Sequence, residues 1–185
     1  MDELFADAEG RMDKAVEAVR REFAKIRTGK ATVSLLDGVK VEYYGSSAPL
    51  RQVANISVPE ARLLVVQPWD KKIIGDIEKA IRSADLGLNP SNDGNLIRVP
   101  IPALTEERRK EMVRYVHKLA EEGRVAVRNV RRDVNEALKQ KHKDGEISED
   151  EFHRAHDKTV QELTDEHIHE IDHVVSAKEN ELMEV

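Results

Sequence analysis

Two hydrophobic periods alternate along this chain of 185 residues, and their order restricts the fold more than any other feature. Over residues 2–29, Phe5, Ala8, Met12, Ala15, Val19, Phe23 and Ile26 recur at spacings of three and four. This is the one-sided stripe of a helix packed in a bundle, and Gly29 stands where such a helix can end. The same period returns after Pro102. Thr105 suits an N-cap, Glu106 and Glu107 suit the positive end of a helix dipole, and Met112, Val116, Leu119, Ala126, Val130, Val134 and Leu138 predict a helix to about Lys143. Lys143-Asp144-Gly145 stops it. Ser148 and Glu151 then make a capping-box pattern, and Phe152, Val160, Leu163, Ile171, Val174 and Leu182 carry a third long helix towards the C-terminus. Three such stripes must bury one another, and the simplest solution is an antiparallel three-helix bundle.

Between the first two helices the period is two. Val39, Val41 and Tyr43 alternate with polar neighbours until Gly45-Ser46-Ser47 breaks the pattern, and Ala54, Ile56 and Val58 resume it. Leu63-Leu64-Val65-Val66 is a continuous apolar run and predicts a central strand. Asp70 is placed to cap a short helix with Ile73, Ile77, Ala80, Ile81 and Ala84 inside and Gly87 beyond its end. Turn chemistry from Asn89 to Gly94 leads to a last strand of Ile97, Val99 and Ile101. The expected fold class is therefore α+β: an elongated antiparallel three-helix bundle from residues 1–30 and 104–185, with a small β-rich α+β domain, residues 31–103, inserted between helices 1 and 2. The chain crosses between them at Lys30-Ala31 and at Ala103-Leu104, and two crossings with little else make a two-strand hinge.

Composition narrows the function. Charged residues make up 36% of the chain and aromatics 4%, a balance that suits long solvated helices. The chain has no cysteine, which excludes disulfide scaffolds, thiol nucleophiles and cysteine-zinc sites. The aliphatic run at Leu63–Val66 is far below the roughly 20 residues of a membrane helix. The opening Met1-Asp2-Glu3-Leu4 lacks the basic and apolar regions of a secretory signal. These features predict a soluble, cytoplasmic protein with no membrane partner. No GxxxxGK[ST], GxGxxG or GxSxG string is present, so no enzyme and no cofactor are expected. His169 and His173, and His153 and His156, have the spacing of helical ligand pairs, but nothing in the sequence points to the two further ligands of a zinc site. They read as polar residues on the outer face of an acidic helix, with no metal. Trp69, beside Pro68 at a strand-to-helix corner, reads as a packing anchor.

The net charge of −6 is unevenly spread. Residues 104–145 carry twelve basic and eight acidic side chains, whereas residues 146–185 carry three and thirteen. Between 108 and 132 the basic residues are Arg108, Arg109, Arg114, Arg124, Arg128, Arg131 and Arg132 against Lys110 and Lys118 alone. Arginine's planar fork matches phosphate oxygens in two-point contacts, so this bias suits a polyanion. The interleaved Glu111, Glu121, Glu122 and Asp133 suit pairing along the helix instead. Charge alone leaves both readings standing.

Particular strings go further. Arg27-Thr28-Gly29-Lys30-Ala31, Val41-Glu42-Tyr43-Tyr44-Gly45, Pro49-Leu50, Asp85-Leu86-Gly87-Leu88-Asn89-Pro90, Ile97-Arg98 and the run from Pro102 to Arg109 stand here in a telling order. So do Val127-Arg128-Asn129-Val130-Arg131-Arg132-Asp133 and the ending Lys178-Glu179-Asn180-Glu181-Leu182-Met183. In order and spacing, from end to end, they resemble the bacterial ribosome recycling factor. One departure is Val33, where that family often has proline just after the first helix. The resemblance implies an L-shaped, monomeric translation factor with a three-helix bundle and a hinged smaller domain. With elongation factor G and GTP it would split the post-termination ribosome into subunits, releasing it from messenger RNA, the GTPase activity belonging to the partner. The bundle would hold large-subunit ribosomal RNA through Arg128, Arg131 and Arg132, with Arg109, Arg27 and Lys30 as further contacts, and Lys30, Ala31, Ala103 and Leu104 would form the hinge. The alternative is a helical adaptor or chaperone that binds protein partners.

Overall fold

The computed structural model describes residues 1–184. In chain order it contains α1 (Asp2–Ala24), a 3-10 turn (Val33–Leu36), β1 (Lys40–Tyr43), β2 (Ser46–Pro49), α2 (Leu50–Val53), β3 (Ala54–Glu60) and β4 (Leu63–Pro68). A second 3-10 turn (Lys71–Ile73) leads into α3 (Ile74–Ser83), followed by β5 (Ser91–Asn92), β6 (Ile97–Pro100), α4 (Glu106–Lys143) and α5 (Glu149–Arg154). A π-helical turn (Ala155–Thr159) joins α5 to α6 (Val160–Met183). The expected α+β class is borne out: α1, α4 and α6 pack as a bundle, and the β-rich segment is inserted between α1 and α4. The chain divides into two compact units, one of Met1–Arg27 with the chain from Glu106 on, the other of Thr28–Thr105.

In the helical unit, α4 is about 57 Å long at 1.5 Å per residue and runs antiparallel to both neighbours. Arg11 NH2 donates to Asp133 Oδ2 at 2.5 Å, and Gly123 lies against Val19. His117, Arg124 and Arg131 meet Glu179, Asp172 and Gln161 of α6 at steps of seven residues along α4. Arg20 to Glu170 and His167 to Asp13 set α6 parallel to α1.

The buried seams correct the expected stripes. On α1, Val16 rather than Ala15 is buried, and the helix ends at Ala24, short of Gly29. On α4 the seam is Val116, Ala120, Gly123, Val127, Val130, Val134 and Leu138, so Leu119 and Ala126 lie on its edges. On α6 it is Val160, Thr164, His167, Ile171, Val175 and Leu182, with two polar residues inside. Thr164 Oγ1 satisfies itself by donating to Val160 O at 2.7 Å. The His167 ring lies 2.7 Å from Leu163 O through Nδ1 and 3.1 Å from Asp13 Oδ1 through Nε2. The capping box is present, Ser148 Oγ accepting from Glu151 N and Glu151 Oε2 from Ser148 N.

The other unit holds an antiparallel sheet of order β3-β4-β6-β5, with β4 internal as its apolar run requires, and a separate β1–β2 hairpin. Val41, Leu50, Leu64, Val66, Ile77, Ile81, Ile97 and Val99 share its core. Asp70 Oδ1 accepts from Lys72 N as the expected cap. Two expectations fail. Ser46-Ser47 belongs to β2 instead of breaking the chain, because the reversal is made by Tyr44 and Gly45 alone, with φ of 46° and 81°. Trp69 is 70% exposed and anchors nothing.

Candidate nucleic-acid interface

Because α4 buries one face in the bundle, its helical period decides which arginines reach solvent. Arg114, Lys118, Arg128, Arg132, Lys139 and Lys143 follow one another at helical spacings on the side away from the seam. All but Arg128 are exposed, and Arg128 keeps 41% of its side chain open. His117, Arg124 and Arg131 lie on the flank facing α6. The arginine series seen in the sequence is thus divided between two faces with different work.

The flank is committed to the fold. Arg124 is only 20% exposed and gives Asp172 Oδ1 two bonds, from Nε at 3.0 Å and NH2 at 2.5 Å, with Glu121 Oε2 at 3.3 Å from NH1. Arg131 is half-buried, and its NH1 donates weakly to Gln161 Oε1 at 3.4 Å.

The outward stripe is less committed. Arg128 pairs with Glu121, seven residues earlier. Its hydrogen bond, followed by that of Arg124, holds the Glu121 carboxyl below the usual glutamate range. Arg132, Arg114 and Lys118 form no ion pair or side-chain hydrogen bond among the described residues. Val125 stands 43% exposed in the middle of this stripe, an apolar spot between charges.

The remaining expected contacts are scattered. Arg109 is half-buried near the start of α4. Arg27 is exposed in the helical unit, and Lys30 is half-buried in the other. The structure therefore brings together Arg128, Arg131 and Arg132 within two turns, with Arg131 turned towards α6. Sequence reasoning left Lys139 and Lys143 out of the set, although their spacing of seven and eleven from Arg132 was the signal.

The four expected hinge residues differ among themselves. Ala31 is buried, and its N–H donates to Ala61 O at 2.7 Å, while the N–H of Ile101 donates to Arg62 O at 2.8 Å. The turn between β3 and β4 thus ties down both crossing segments. Ala103 is exposed and Leu104 half-buried. Gly29 has a φ of 79°, and a Cβ there would lie 3.5 Å from both Cγ and N of Leu104.

Comparison with known proteins gives a consistent result. The sequence model of the family described as "Ribosome recycling factor" matches residues 19–183. The chain is 58% identical over 183 residues to the ribosome-recycling factors of Desulforamulus reducens and Bacillus subtilis, covering 99% of this chain and 98% of each relative. Among solved structures, it is similar to a solution structure of the ribosome recycling factor, with a TM-score of 0.73 and 49% identity over all of this chain and 97% of that one. It is also similar to the Thermus thermophilus factor described with Escherichia coli elongation factor G bound to the E. coli post-termination complex, with a TM-score of 0.63 and 48% identity over 99% of this chain and 98% of that one.

Proposed function

The chain belongs to the ribosome recycling factor family, and from that premise we propose that it grips large-subunit ribosomal RNA with the outward stripe of α4 while acting with elongation factor G on the post-termination ribosome. The family carries no catalysis of its own. GTP hydrolysis belongs to the partner, and the outcome is separation of the ribosome into subunits in the cytoplasm. The observation that carries this reading is 58% identity to a ribosome-recycling factor over nearly the whole length of both chains.

The site follows from the charge geometry. RNA offers a dense row of phosphates, and cations held on one helix face displace the counterions condensed along it. Arg132 and Arg128 offer guanidinium forks one turn apart on that face, and Lys139 and Lys143 extend it. Arg109 and Arg27 lie outside the stripe, Lys30 belongs to the other unit, and the three serve as separate contacts. The acidic α6 region would be repelled by RNA, which orients the factor by exclusion.

The hinge lies on the bundle side of Ala31 and Ile101, since the bonds of these two residues to Ala61 and Arg62 make them part of the sheet unit. Lys30 and the segment from Ala103 to Leu104 are where the chain turns.

The test is light scattering of post-termination ribosomes mixed with this protein, elongation factor G and GTP from one source. A fall in scattering that requires all three components is expected. No fall with a matched partner would overturn the reading, and ribosome binding insensitive to salt would overturn the RNA-gripping stripe.

A further inference from the structure

Seven histidines occur in the chain, and five are engaged. His117 meets Glu179, His142 stacks on Phe152 with ring centres 5.3 Å apart, and His153 and His156 share Asp157 at 3.4 and 2.6 Å. His167 is held between Leu163 and Asp13. His169 and His173 differ: both are exposed on α6, and neither makes a hydrogen bond, ion pair or ring contact among the described residues. They stand one turn apart, on the side away from the Thr164–His167–Ile171–Val175 seam. Side chains at i and i+4 of a helix lean the same way and lie one above the other, close enough to meet at one ion.

The surroundings favour a cation. Glu166, three residues before His169 and seven before His173, shares their face, is exposed and has no partner among the described residues. The other carboxylates nearby are occupied: Asp165 accepts from Gln161, Glu170 pairs with Arg20 of α1, and Asp172 pairs with Arg124 of α4. Glu162, also exposed, lies one turn further back.

We propose that His169 and His173 form a two-imidazole chelate for a late first-row divalent cation, with Glu166 as a third ligand and water completing the shell. As they stand, no three such side chains converge among the described residues, so the site closes by rotation of exposed side chains, which needs no movement of the helix. Imidazole with one carboxylate suits Cu²⁺, Ni²⁺ and Zn²⁺, with Cu²⁺ strongest in the usual order. The ligand is the neutral ring, so acid competes with the metal. The site lies on α6 and shares no residue with the α4 stripe.

Isothermal titration of the full chain with Ni²⁺ at about pH 7.5, above the ordinary histidine range, is expected to show one equivalent bound. Because the second imidazole binds as an intramolecular partner, His169→Ala alone is expected to weaken Ni²⁺ roughly a hundredfold. His169→Ala with His173→Ala should abolish the site, and Glu166→Gln should weaken it several-fold. His153→Ala with His156→Ala should leave it unchanged. Circular dichroism of the His169/His173 double variant should match the parent, since both residues are exposed. Undiminished Ni²⁺ binding in that variant, loss of binding in the His153/His156 variant instead, or no Ni²⁺ binding by the parent chain would each overturn the proposal.

Discussion

Gly123 of α4 lies against Val19 of α1 with no room for a side chain between them: a Cβ on Gly123 would overlap Val19 Cγ2 and stand 3.3 Å from Ile171 Cδ1 of α6. Three helices meet at this glycine. Alanine is the better helix former by about 1 kcal/mol, so an exposed site would gain from the change. Here overpacking costs about 1–3 kcal/mol, and valine, stiff at χ1, cannot swing clear. Gly123→Ala is expected to lower stability by about 1 kcal/mol net in urea unfolding. Val19→Ala in that background should cost less than it does alone, a coupling that a double-mutant cycle reads directly. A gain in stability from Gly123→Ala would show that the helices part freely at this level.

Arg132 and Arg124 share a helix and a charge but are expected to fail differently. Arg132→Ala removes a cation with no partner among the described residues, so the fold should hold while ribosome affinity falls. Its plot of log affinity against log salt should flatten by about one. Arg124→Ala removes the two-point bond to Asp172 and should lower the unfolding midpoint first. Filter binding across a salt series, beside thermal melts of the free proteins, separates the two. Equal losses of ribosome affinity and stability in both variants would remove the distinction between stripe and flank.

The order of elements was legible in the sequence because two periods alternate there with clear punctuation. The α+β class, the internal position of β4, the Asp70 cap and the Ser148–Glu151 box all follow from local chemistry. The seams were less legible, since a buried position need not carry an apolar residue. Gly123 and Ala120 are buried because α1 and α6 come close, and Thr164 and His167 because each finds an acceptor within the bundle. The arginine series was visible, but its division between solvent and α6 depends on which partners α6 presents. Trp69 misled because its neighbours, unlike its residue type, leave it in solvent.

Thr164 gives that argument a test. Its hydroxyl donates only to Val160 O, one turn back on its own helix, and such back-bonding lends a helix little. Thr164→Val keeps the shape and removes a polar group from the seam. The expected change in unfolding free energy is zero to about +1 kcal/mol, measured by urea titration. A loss of several kcal/mol would mean that the hydroxyl serves a partner across the bundle.

Asp93 should make the sheet unit acid-sensitive. Its carboxyl accepts from Asn95 N and Leu96 N, each at 3.0 Å, and from Arg98 NH1 at 2.8 Å. In that order these bonds hold its pKa well below the usual aspartate range. A carboxylate depressed on folding stabilises the fold above its unfolded pKa of about 4 and loses that contribution as pH falls through the folded value. The parent chain should therefore melt higher than Asp93→Asn at about pH 6, and the gap should begin to narrow below about pH 4 and close only as pH falls through the depressed folded value. A gap that persists at low pH would assign the difference to the shape of the turn instead of its charge.

The proposed hinge can be tested by amide exchange. Ala31 N–H and Ile101 N–H are bonded to the β3–β4 turn, so they open only when the sheet unit opens. Gly29 and Leu104, two and three residues nearer the bundle, donate no backbone bond among the described residues. Protection of Ala31 and Ile101 at the level of Leu64 and Val99, with fast exchange at Gly29 and Leu104, is expected from native-state exchange followed by NMR. A pivot placed instead at Ala31 would require that amide to exchange as fast as Gly29. Lengthening the chain at residue 30 would then leave subunit splitting intact. With the pivot on the bundle side of Ala31, as proposed, the same insertion should spare ribosome binding and slow splitting, because a push on the sheet unit would reach the bundle through a slack connection.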